Sequence, residues 1–134
     1  MNNLIAEIIE TVKQWDGVDY AVTEDGLIYS ALDMELGQIN GDGLVIVPFT
    51  PIISERLVKG GNIPDNRLQD DPGCLAFQVR DYVDTQQAIW LFRLSYLHKM
   101  ITLYRRSKNK GRSPHLQRAL AEISKDDDLR ALIG

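Results

Sequence analysis

The sequence predicts an α+β domain: an antiparallel meander sheet of about four to five strands with an N-terminal helix, a long helix over residues 85–107 and short C-terminal helices packed on it. Three observations carry this. The chain opens on apolar residues at helical spacing, its middle alternates apolar and polar positions in segments broken by Gly, Asp and Pro, and a long apolar-rich run follows Asp84. A chain of 134 residues sits near the commonest single-domain size, so one core over residues 1–134 is expected.

Leu4, Ile5, Ile8, Ile9, Val12 and Trp15 share one face of a helix over residues 3–15, which Asp16-Gly17 ends. Val18, Tyr20 and Val22, then Leu27, Tyr29 and Ala31, alternate on either side of Glu24-Asp25-Gly26 and predict a hairpin. A second hairpin joins 34–39 to 44–49 across Asn40-Gly41-Asp42-Gly43, whose glycines supply the positive φ a reversal needs. Residues 50–73, with Pro51, Gly60-Gly61, Pro64 and Pro72-Gly73, read as a long loop with a short helical stretch at 54–58. Leu75, Phe77, Val79, Asp81 and Val83 then share one side of a fifth strand. Asp84-Thr85-Gln86-Gln87 has the form of a helix cap, acid first and Gln three residues later. Gly111 and Pro114 stop the long helix, Ser113-Pro114 starts another through Leu116, Leu120 and Ile123, and Asp126 to Asp128 open a final short one.

Composition bounds the class. Apolar residues make up 44% and charged ones 25%, an ordinary globular balance. The apolar run from Ala88 to Tyr104 is interrupted by Arg93, His98 and Lys99, so no membrane span is expected, and Glu7 and Glu10 inside the first apolar pattern do not resemble a signal peptide. A cytoplasmic protein follows as the expectation. Cys74 is the only cysteine, which rules out an intrachain disulfide and a cysteine-rich zinc site.

Charge is unevenly placed. Residues 1–84 hold 15 acids and 5 bases, residues 85–121 no acid and 8 bases, and residues 122–134 hold 4 acids and 2 bases. An even spread would give the middle segment about five acids, so their absence is a patterning signal. On a helical wheel Ile89, Phe92, Tyr96, Met100 and Leu103 form the core stripe, and Gln87, Ser95, His98, Lys99, Thr102, Arg105 and Arg106 lie opposite. Lys99, Arg105 and Arg106, continued by Lys108, Lys110 and Arg112 in the following turn, are therefore the candidate binding residues for an anionic partner. An acidic surface of the same protein, within the monomer or across a homodimer, is the competing counter-charge. Arg93 projects from the apolar arc and must be satisfied; the expectation is that its stem packs while its guanidinium snorkels to solvent or pairs with a strand carboxylate such as Asp81.

Chemistry is sparse. His98 and His115 both fall in the basic segment, where cations disfavour imidazolium. Asp70-Asp71 precedes Pro-Gly as a turn does, and the later Asp run sits where a helix start favours acids. The Asn40–Gly43 loop is too short for an EF-hand. No phosphate loop, dinucleotide fingerprint, nucleophile elbow or His-Glu zinc pattern is present, so no catalytic residue, cofactor or metal is assigned.

Element order and acidity over roughly residues 3–107 resemble those of the small dimeric chaperones of bacterial secretion systems; the resemblance implies a protein that binds partner polypeptides without catalysis. From the residues themselves the first expectation is a non-catalytic regulator or adaptor that binds another protein. Two alternatives stand beside it: a nucleic-acid or nucleoprotein binder using residues 99–112, and a small enzyme built on carboxylates such as Glu35, Asp42 and Asp81.

Overall fold

Apolar side chains one and two turns apart decide the first element. Ile5, Ile8 and Val12 are buried on one face of α1 (Asn3–Val12), which ends one turn earlier than its pattern, with Gly17 at φ +78° turning the chain toward the sheet. The computed structural model describes residues 3–61, 73–107 and 113–134. Five strands follow, β1 (Val18–Val22), β2 (Gly26–Ala31), β3 (Met34–Asn40), β4 (Leu44–Pro48) and β5 (Cys74–Gln78). They form one antiparallel sheet in the order of the sequence. The helices pack on one of its faces, and the fold class is α+β.

Alternation places Tyr29, Ala31, Ile39, Val45, Val47, Leu75 and Phe77 on the helix side, all buried. Val22 and Tyr20 belong to the same side of β1, yet they are 76% and 57% exposed. Strand β1 is one margin of the sheet, where Tyr20 meets only the flank of α1 across an open cleft and the body of the helix layer, with α3 (Tyr82–Arg106), packs on β3 and β4, so an apolar alternation there marks strand geometry without burial. Leu36 is the extra residue of a bulge, because Tyr29 pairs with Gly37 while Ser30 pairs with Glu35. Leu32 and Asp33 close the β2–β3 reversal at φ +49° and +69°, a two-residue hairpin turn made without glycine. In the next reversal Gly43 takes φ +92°.

Two boundaries differ from those the sequence predicts. The short helical stretch expected at 54–58 within the 50–73 loop is longer, because Thr50 caps a helix, α2 (Pro51–Lys59), with its hydroxyl accepting from Ile53 N. Proline is at home in a first helical turn, so Pro51 marks a helix start as readily as a break. Ser54 Oγ donates to Gly73 O at 2.7 Å, and Arg56 Nε lies 2.8 Å from Asp126, which fixes α2 against the C-terminal segment. The remainder of that segment, residues 62–72, lies outside the described residues. Strand β5 ends at Gln78, and the cap of α3 is Asp81, one turn before the expected Asp84. Asp81 accepts from Asp84 N while Asp84 accepts from Arg80 N, a reciprocal arrangement that draws Tyr82 and Val83 into the helix although both stay exposed.

Helix α3 is covered on most of its circumference, by β3 and β4 on one side and by α1, α4 (Pro114–Ile123) and α5 (Asp127–Ile133) on the other. Ser113 and Asp126 cap α4 and α5 as their sequence predicts. Among the described residues no helix is long and apolar enough to cross a membrane.

Candidate functional site

Two of the openings along α3 hold a cation on opposite flanks of the helix. The first is a groove of about 670 Å³ between the end of α1, α3 and α4, walled by Trp15, Tyr96, Met100, Tyr104 and Leu116. Arg93 lies in it with its guanidinium carbon 5.1 Å from the ring centres of both Trp15 and Tyr96. The two rings are themselves 5.6 Å apart, and Tyr96 is fixed by its hydroxyl, which donates to Asp16 O at 2.7 Å. A guanidinium is planar and weakly hydrated, so it rests against aromatic rings with its N–H donors still able to bond an anion in the plane. This is how the odd arginine of the apolar arc is accommodated. Its partners are rings, and the expected pairing with Asp81 does not form, since that carboxylate caps the far end of α3.

The second opening is a cleft of about 530 Å³ where α3 crosses the start of β3, the end of β4 and the start of β5, lined by Met34, Glu35, Phe49, Cys74, His98 and Lys99. Lys99 is 8% exposed. Its Nζ donates to Pro48 O at 2.5 Å and to Ser95 Oγ at 3.0 Å and lies 5.3 Å from the Phe49 ring centre. Ser95 Oγ in turn donates to Leu36 O, at 2.8 Å. Burial brings the Lys99 amine down to about 8, against smaller upward pulls from Cys74 and Glu35. His98 stacks near Phe49, with centroids 6.4 Å apart, and burial together with the Lys99 charge pushes its imidazole down to about 4. Its Nδ1 meets no hydrogen-bond partner among the described residues.

The expected basic surface is thus divided. Lys99, assigned by the helical wheel to an open basic face, is buried, and so is Ser95. The wheel assumed a single covered side, whereas α3 is covered on two, and its polar stripe is satisfied by carbonyls at strand ends. Arg105 and Arg106 are exposed on the last turn of α3, beside groove-lining Tyr104 and Ser107. Lys108, Lys110 and Arg112 lie outside the described residues. The three carboxylates do not converge: Glu35 opens β3 and Asp42 follows its end, roughly 20 Å away along the strand. Among the described residues no three His, Cys, Asp or Glu side chains come together as a metal-ligand group. Sequence reasoning missed Trp15, Tyr96, Phe49 and Cys74 as site residues. The one available signal was Arg93, a cation inside an apolar arc that requires something close by to hold it.

Compared with family models, curated proteins and solved structures, the chain has no match.

Proposed function

We propose that this protein is a non-catalytic adaptor or regulator that binds a partner polypeptide, taking an acidic segment with apolar anchors into the groove between α1, α3 and α4. The observation that carries the reading is Arg93 set against the adjacent rings of Trp15 and Tyr96 on the wall of a largely apolar groove of about 670 Å³. Apolar walls supply contact area, a preformed guanidinium supplies the carboxylate contact, and Arg105 and Arg106 at the same end of α3 add long-range attraction. Rings already locked by packing limit the ordering cost of binding.

The test is a titration of the full chain with acidic peptides bearing Leu and Phe, and with counterparts in which each acid is Lys, followed by the two indole N–H signals in NMR. Trp90 donates its indole N–H to Ile123 O at 2.8 Å and serves as internal reference. Acidic peptides should move the Trp15 signal, less at high salt, and Arg93→Gln should weaken the effect. Equal response to the basic peptides, or none to either set, would overturn the reading. A single-stranded oligonucleotide binding near Arg105 and Arg106 with no shift at Trp15 would favour the nucleic-acid alternative instead.

A further inference from the structure

The cleft on the sheet side of α3 is not used by the function proposed above, and its chemistry is different. Among the described residues Lys99 Nζ meets oxygen only in two neutral groups, the Pro48 carbonyl and the Ser95 hydroxyl, and no carboxylate lies within ion-pair distance. A neutral amine keeps both bonds with its two protons and has a lone pair to spare. An ammonium has a third proton, for which the described residues offer only the face of Phe49. A lysine so placed is costly to leave charged and well set to react.

We propose that Lys99 is a carbonyl-reactive amine, and that the cleft holds a small uncharged aromatic aldehyde or ketone which Nζ binds as an imine. The carbon–nitrogen bond forms by attack of the Nζ lone pair on the carbonyl carbon. The carbonyl oxygen then leaves as water with the two amine protons, so no oxidant, reductant or metal is needed. Phe49 and the neutral ring of His98, with centroids 6.4 Å apart, offer an aromatic wall for the ligand ring, and Met34 adds an apolar one. Glu35 at the same cleft opposes a carbonyl compound that carries a negative charge. The groups facing Nζ are His98 from α3, Glu35 from β3 and Cys74 from β5, while the end of β4 and the Phe49-Thr50 link contribute no titratable side chain. Their balance with burial leaves the amine near 8, so an appreciable fraction is nucleophilic close to neutral pH.

Salicylaldehyde with cyanoborohydride converts such an imine to a stable secondary amine, and digestion with mass spectrometry places it. With the full chain at about pH 7.5, Lys99 should be modified at least ~10-fold faster than exposed lysines such as Lys13 and Lys59, with a rate midpoint near 8. 4-Carboxybenzaldehyde should react more slowly at Lys99 than an uncharged benzaldehyde, and Glu35→Gln should narrow that gap. These comparisons are made between lysines of one folded chain, so they do not depend on a Lys99 variant folding. Modification of Lys99 no faster than that of Lys13 and Lys59 would overturn the proposal.

Discussion

On the flank of α3 that meets α1 and α4, Arg93 lies against two adjacent rings and keeps contact with solvent; on the flank that meets the sheet, Lys99 is nearly enclosed and held by a carbonyl and a hydroxyl. The two cations are six residues apart on one helix. They show that the covering element decides which cation fits. Helices α1 and α4 bring side chains and hence rings, to which a flat, weakly hydrated guanidinium is suited. The sheet brings the ends of strands and hence carbonyl oxygens, which substitute for the water around an ammonium. The first arrangement leaves donors available to a partner, and the second leaves an amine available to chemistry.

The contrast rests on α3 being clamped from both sides, so the largest effect should come from loosening the sheet side. Phe92 is fully buried, edge-on to Tyr29 with centroids 5.9 Å apart. Phe92→Ala should cost about 3–5 kcal/mol in urea unfolding and disturb both openings together. Exchanging the cation types should then reveal the asymmetry. Lys99→Arg forces a larger, forked group into a nearly closed space and should cost about 1–3 kcal/mol, whereas Arg93→Lys gives up only stacking and should cost about 0.5–1 kcal/mol. Equal costs at the two positions would break the comparison.

Titration offers an effect of intermediate size. The folded-state value of Lys99 lies below the unfolded one, so between about 8 and 10.5 the unfolded chain binds the extra proton and stability rises with pH. The unfolding free energy of the wild type from urea titration should climb through that window by an amount on the order of 1 kcal/mol per pH unit, and Lys99→Met should remove that part of the slope. The smallest expected effect on stability is at the exposed end of α3. Arg105→Glu with Arg106→Glu should change unfolding by no more than about half a kcal/mol while weakening acidic-peptide binding in a salt-dependent way.

Much of the fold was legible because its signals are local. Alternation at Val45, Val47, Leu75 and Phe77 gave strands that are indeed buried on one face, and Ser113 and Asp126 announced their helices through capping chemistry. Where two readings of one residue compete, the sequence is silent on the winner. Pro51 both breaks and begins helices, and Asp81 and Asp84 could each have been the cap. The site was less legible, since it depends on what lies across from α3. Lys99 and Arg105 read alike as basic residues of one helix, and only the sheet ends above Lys99 separate them. Trp15 and Tyr96 are far apart in the chain, and no spacing rule joins them to Arg93.

The margin of the sheet carries a different consequence. Strand β1 ends the ladder and presents backbone donors and acceptors to any passing strand, with Tyr20 and Val22 uncovered beside them. Its protection is short length and negative charge: five residues with Asp19 among them, followed by Glu24 and Asp25 at the turn. A neutral edge of the same shape would be a better template for edge-to-edge pairing, and like charges brought together by two such margins oppose it.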